Sequence, residues 1–204
     1  MLVIKKKKLT KKIFILQFKT QKDMAETFLR FQEHYESPEF KGRIFTNEEF
    51  AKWYKKIKGK FTYYEDWDGF NIPISALKPF KNGKFNPLTP NEKKLLSLFK
   101  RVKGDEYIIS FHGGGHHLIG HELAHALFYT NKEYKNKILK ILKKYDLKEI
   151  KKELLSMGGY EKNVLEDEIQ AYTISLSYEL NTSIPKEMKR EINGVFEDYC
   201  PKII

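Results

Sequence analysis

His121-Glu122-Leu123-Ala124-His125 lies in a segment whose apolar residues recur at helical spacing. Residues four positions apart project from the same face of an α-helix, so the two histidines would stand side by side. The apolar positions around them are Leu118, Ile119, Leu123, Ala126 and Leu127. The pattern therefore predicts a helix that is buried on one side and carries two imidazole rings on one face.

The segment before this helix predicts a strand. Tyr107-Ile108-Ile109-Ser110-Phe111 is apolar and rich in β-branched and aromatic residues, and Gly113-Gly114-Gly115 allow a sharp turn into the helix. Residues 1–104 mix predicted helices with short strands, whereas the chain beyond them is mostly helical. We therefore expect a single α+β domain (1–204) with a mixed α/β lobe (1–104) and a lobe that carries the motif (105–204).

Three helix boundaries can be predicted from capping residues and breakers. Thr46 with Glu49 forms a capping box that opens a helix through Ile57. A second capping box begins at Thr89 and predicts a helix that ends near Lys103, before a glycine. A long helix is predicted from Val164 to Leu180, with Asn163 as its N-cap.

The paired histidines predict a metal site. Two imidazoles on one helical face can bind Zn²⁺ through their ring nitrogens. Glu122 stands between them, where a carboxylate can act as general base toward a water molecule that the metal activates. This combination is typical of peptide-bond hydrolysis. The sequence therefore predicts a zinc metallopeptidase acting on a peptide or protein substrate. The alternative is a zinc-binding regulatory or interaction module without catalytic activity.

A catalytic zinc ion needs a third protein ligand and an open position. In the class with three histidines, glycine and histidine would stand where this chain has Phe128 and Asn131, so that class is excluded. The remaining common ligand is a carboxylate from a later helix.

The predicted third ligand is Glu168. It lies beside the apolar stripe of its helix, which is formed by Leu165, Ile169 and Tyr172. A carboxylate on a buried face is costly unless it is paired or bound to a metal. Glu166 and Asp167 are the alternatives, either as the ligand itself or as the hydrogen-bond partner of a ligand histidine.

His121-Glu122-x-x-His125 followed by Glu168-x-x-Ala171 resembles the gluzincin metallopeptidases, and the separation is closest to that of their lethal-factor-like branch. The resemblance implies a zincin-like fold, with a small sheet packed near the motif helix and a mostly helical C-terminal lobe. It also implies that Tyr160, in Gly159-Tyr160-Glu161, is catalytic and stabilises the oxyanion. It covers Tyr107 to Leu180 and does not extend to residues 1–104.

Composition limits the location and the partners of the chain. The net charge is +11, but most lysines are scattered as on solvated helix surfaces, so nucleic acid is not expected as a partner. The one dense cluster, Lys5 to Lys8 with Lys11 and Lys12, is expected to be a charged tail that aids solubility. The alternative is a weak, salt-sensitive contact with nucleic acid or a membrane surface. Cys200 is the only cysteine, and no apolar segment approaches the roughly 20 residues that span a bilayer. We therefore expect a cytoplasmic protein without membrane insertion.

Overall fold

The computed structural model describes residues 2–102, 104–114, 119–157, 162–175 and 180–201. The chain divides into two units, residues 1–115 and 116–204. The division falls shortly after the strand Tyr107–His112, because that strand is hydrogen-bonded into the sheet of the first unit.

The first unit contains a four-stranded sheet. Its strands are β1 (Ile4–Lys8), β2 (Ile13–Phe18), β3 (Gly69–Pro73) and β4 (Tyr107–His112). Their order in the sheet is β1-β2-β4-β3, with β2 and β4 parallel and the other two pairs antiparallel. The inner strands β2 and β4 are nearly continuous apolar runs, as expected of strands that are buried on both faces.

The described part of the first unit also contains a 3-10 helix (Ile74–Leu77) and the α-helices α1 (Gln21–Glu36), α2 (Asn47–Lys58), α3 (Tyr63–Asp66), α4 (Lys78–Lys81) and α5 (Pro90–Leu98). The core forms where side chains of alternate β2 residues meet α1. Phe14, Leu16 and Phe18 belong to the same buried cluster as Met24 and Phe28. The predicted capping boxes at the starts of α2 and α5 are both present.

Two sequence predictions in the first unit are wrong. Lys5 to Lys8 are part of β1 rather than of a charged tail, because their backbone pairs with the apolar strand β2. The lysine side chains themselves do not indicate this pairing. Helix α5 ends at Leu98 rather than near Lys103. The carbonyl groups of Leu98 and Phe99 accept hydrogen bonds from the ammonium groups of Lys6 and Lys81, which helps to terminate the helix.

In the second unit, the described residues form helices α6 (Ile119–Thr130), α7 (Lys132–Leu142), α8 (Lys148–Ser156), α9 (Leu165–Ile174) and α10 (Lys186–Tyr199). Helix α9 packs against the four others, and α7 also packs against α6 and α10. The helix predicted from Val164 to Leu180 ends at Ile174, because Ser175 has extended backbone angles. Asn163 lies in a short 3-10 helix and is not the N-cap of α9, whose N-cap residue is Val164.

The two units together confirm the predicted α+β class. Within the described ranges, none of the helices combines the length and apolarity that would be needed to cross a membrane.

Candidate metal centre

Helix α6 forms as predicted and carries both histidines of the motif on one face. Leu123 and Ala124, which stand between them in sequence, are fully buried. The helix ends where the Thr130 hydroxyl donates to the Ala126 carbonyl and the Asn131 side chain caps the start of α7. This packing fixes the α6 backbone and with it the Cα positions of the two histidines.

Small residues allow α6 and α9 to approach each other closely. Ala124 on α6 and Ala171 on α9 have no exposed surface. A Cβ atom added at Gly120 of α6 would lie 3.8 Å from a methyl carbon of Ile174 on α9. The Ile174 side chain therefore packs close to the backbone of α6 at this glycine. The close approach brings the first turn of α9, which contains Glu168, to the histidine face of α6.

His121, His125 and Glu168 form a cluster that can bind a metal ion. One ligand atom from each residue lies within 4.8 Å of the other two. The Nε2 atoms of the histidines are 3.2 Å apart, and Nε2 of His125 is 3.8 Å from a carboxylate oxygen of Glu168. Nitrogen ligands of a tetrahedral zinc ion, each bound at about 2.05 Å, lie about 3.3 Å from each other. The histidine pair therefore has the separation of zinc ligands.

The other side of the His125 imidazole is also held, because its Nδ1 lies 3.0 Å from Oδ1 of Asp167. The backbone of Ala171 acts on the His121 ring and opposes the lowering of its pKa. Tyr172 packs edge-on against His121, with their ring centroids 5.2 Å apart. Such outer contacts orient ligand histidines and select their tautomers. Asp167 therefore lies where the second of its two predicted roles requires, as the hydrogen-bond partner of a ligand histidine.

Burial and neighbouring charges shift the ionisation of all three ligands. Burial raises the pKa of Glu168 to about 7, against the opposing effect of His125 and with further increases from Asp167 and Glu122. Burial also lowers the pKa of His125, but Asp167 and Glu168 outweigh it and raise this pKa well above its usual value. The pKa of His121 falls well below its usual value because of burial and the charge of His125. A metal ion bound by these three residues would displace the protons that they carry.

Glu122 and Glu166, the other two acidic residues considered for this site, have different surroundings. Glu122 is 6% exposed and lies near enough for its charge to act on both His125 and Glu168. Glu166 instead forms a 2.6 Å ion pair with Lys151 of α8. Of these two residues, Glu122 is therefore the neighbour of the cluster.

The sequence pattern does not single out Gln170, which is fully buried and donates a hydrogen bond to Asp167. The one feature of the sequence that could have indicated Gln170 is its place between the apolar residues Ile169 and Ala171 on a helix predicted to be partly buried. Tyr160, for which an oxyanion role was implied, lies outside the described residues. Comparison of the chain with protein families, with curated proteins and with solved structures found no significant match.

Proposed function

We propose that this protein is a zinc-dependent metallopeptidase of the gluzincin type, with a zincin-like fold. The proposal depends on one observation above all: His121, His125 and Glu168 come together as potential ligands, while Glu122, whose charge acts on His125 and Glu168, is not one of them. Two imidazoles and one carboxylate are the ligand set of many catalytic zinc sites in peptidases.

The ligand set and the spacing support zinc over harder cations such as Mg²⁺, which prefer oxygen ligands. Two histidines with one carboxylate also bind iron(II) in oxygenases. The position of Glu122 favours zinc, because a carboxylate beside the ligands serves hydrolysis, whereas oxygenase chemistry has no need of it. Metal analysis of the purified protein should therefore quantify zinc and iron together.

Zn²⁺ bound to these side chains would activate a water molecule and polarise the carbonyl group of the scissile peptide. Glu122 accepts a proton from the attacking water and later donates it to the leaving amine. Asp167 keeps the His125 ring in place during these steps. Tyr160 donates a hydrogen bond to the oxyanion, as the resemblance to the lethal-factor-like branch implies.

The test combines metal content with peptide hydrolysis. We expect one zinc ion per wild-type chain and cleavage of an unfolded protein or a peptide library. Glu122→Gln should keep the zinc and lose on the order of 10²–10⁴-fold in turnover, because it removes only the general base. Glu133→Gln, a change at an exposed acid on α7, is the matched control and should behave like wild type. Stoichiometric zinc without cleavage, identical in wild type and Glu122→Ala, would overturn the peptidase proposal.

A catalytically silent zinc-binding module is the second candidate, and the burial of the motif favours it. His121, Glu122 and His125 are 8%, 6% and 4% exposed, which leaves these side chains little surface for contact with a polypeptide. In that case the wild-type protein would bind zinc and gain thermal stability from it, but Glu122→Gln would change neither zinc content nor any hydrolysis rate.

A further inference from the structure

A chain of hydrogen bonds leads from the buried Tyr134 hydroxyl on α7 to the ligand histidine His125. The Tyr134 hydroxyl donates to Oε1 of Gln170 at 2.7 Å, and Nε2 of Gln170 donates to Oδ1 of Asp167 at 2.9 Å. That same carboxylate oxygen lies 3.0 Å from Nδ1 of His125. Tyr134 and Gln170 have no exposed surface. If one of the two lost its hydrogen bond, water could not take the place of the missing partner, and the loss would cost free energy.

The chemistry of the groups fixes the direction of every hydrogen bond in this chain. A carboxylate oxygen accepts hydrogen bonds, so Oδ1 of Asp167 accepts one from the amide nitrogen of Gln170 and another from Nδ1–H of His125. The amide oxygen of Gln170 then faces Tyr134, whose hydroxyl must donate. The result at His125 is a proton held on Nδ1, so that Nε2, the atom that lies 3.2 Å from Nε2 of His121, is the nitrogen left to bind a metal ion.

We propose that Gln170 and Tyr134 are positioning residues of the metal centre, which hold Asp167 in place and thereby fix the tautomer and ring orientation of His125. The inference rests on the proposed function, because it assumes that the cluster binds zinc. The Asp167 side chain is 25% exposed and lies on the first turn of α9, so without a partner its carboxylate could rotate toward water. Gln170, one turn later on the same helix, prevents this rotation.

Tyr134 is itself anchored, which makes it a fixed end for the chain. It lies in the first turn of α7, where its backbone N–H donates to the capping side chain of Asn131. Its ring also packs against Tyr199 of α10, with a centroid separation of 5.7 Å. The hydroxyl is therefore held by α7 and α10, while the amide that it binds belongs to α9. The geometry of His125 depends in this way on packing among three helices.

The test uses Tyr134→Phe, which removes one hydroxyl, and Gln170→Met, which replaces the amide with an apolar side chain of similar length. Tyr145→Phe is the matched control, because it removes a hydroxyl bonded to Glu191 in the same unit but away from the cluster. Zinc affinity is measured by competition with a chelator, and ligand geometry by the visible absorption spectrum of the cobalt(II)-substituted protein. Thermal unfolding of the metal-free proteins verifies that each variant is folded.

We expect Tyr134→Phe to weaken zinc binding by roughly threefold to tenfold, as for the loss of one hydrogen bond. Gln170→Met should weaken it by roughly 10–100-fold, and both variants should alter the cobalt spectrum. The control should change neither measurement. If Gln170→Met fails to fold, Tyr134→Phe still decides the question, because it changes no packing volume beyond one oxygen atom.

The measurements distinguish failure of the positioning role from failure of the proposed peptidase function. Wild-type zinc affinity and an unchanged cobalt spectrum in the folded variants would overturn the positioning role alone. Zinc binding without any peptide cleavage by wild type would overturn the peptidase proposal but leave the positioning role supported by the affinity measurements. A wild-type protein that binds no zinc would overturn both.

Discussion

Glu166 and Glu168 stand two residues apart on α9, yet their carboxylates have opposite surroundings. Glu166 forms a hydrogen-bonded ion pair with Lys151, which lowers the pKa of the Glu166 carboxyl group. Glu168 faces the two histidines, and burial raises its pKa to about 7. Positions two apart on a helix point away from each other, so only one of the two can turn toward α6. The structure brings Glu168 to the histidines.

Replacement of Glu168 should therefore remove a metal ligand, whereas replacement of Glu166 should not. We expect Glu168→Gln to weaken zinc binding by more than about 100-fold, since even outer partners of zinc ligands contribute 10–100-fold. Glu166→Gln should retain wild-type affinity, because it breaks only a half-exposed ion pair. Chelator competition on both variants measures the difference. Equal losses in the two variants would contradict the assignment of the third ligand.

Asp167 should contribute through His125 rather than through the metal itself. We expect Asp167→Asn to weaken zinc binding by roughly 10–100-fold, because an amide is a weaker acceptor for the Nδ1 proton and carries no charge. Asp198→Asn, on the exposed surface of α10, is the control for the loss of one negative charge. Isothermal titration with zinc measures both. A loss as large as that of Glu168→Gln would instead identify Asp167 as a direct ligand.

Arg30 and Glu92 form a buried ion pair in the first unit. Nε and Nη2 of Arg30 lie 2.7 and 2.6 Å from the two carboxylate oxygens. Arg30→Met should lower the free energy of unfolding by about 3–5 kcal/mol, because it leaves a buried carboxylate without its cation. The double variant Arg30→Met/Glu92→Gln should be less destabilised, since glutamine is neutral and can still serve in the capping box. Urea unfolding would contradict this reasoning if the double variant were the less stable one.

Glu153 should make stability dependent on pH in the acidic range. Hydrogen bonds from Thr182 and Asn181 lower its pKa to about 2. A carboxylate with a depressed folded-state pKa stabilises the protein above its unfolded-state pKa, and this contribution is lost as the pH falls from about 4.5 to about 2. Wild type should therefore be more stable than Glu153→Gln at pH 6, and the difference should shrink across that interval. Glu149→Gln, at an exposed acid on the same helix, should show no such trend.

The local parts of the candidate site could be predicted from the sequence, and the long-range parts could not. The spacing of His121 and His125 fixes their common face because helix geometry repeats every few residues. The bond between Tyr134 and Gln170 joins residues 36 positions apart, and no local pattern signals it. Zinc binding and peptide hydrolysis stay predictions, which the metal analysis and the cleavage assay test.

The same contrast applies to the fold. Strands β2 and β4 could be predicted because apolar runs of this length are typical of inner strands. Strand β1 could not, because its pairing depends on β2 rather than on its own lysines. Helix α9 is shorter than its apolar pattern indicates, since the backbone turns to an extended conformation at Ser175.

The two outer strands of the sheet have a consequence for how this protein behaves when it is concentrated. Unpaired strand edges can recruit strands of other molecules and begin β-aggregation. Here β1 exposes Lys5 to Lys8, so a second copy aligned along it would meet a matching row of positive charge. At the opposite edge, β3 is only five residues long and ends at Pro73, which has no N–H to donate. Both edges of the sheet therefore oppose polymerisation, one through electrostatic repulsion and the other through a missing hydrogen-bond donor.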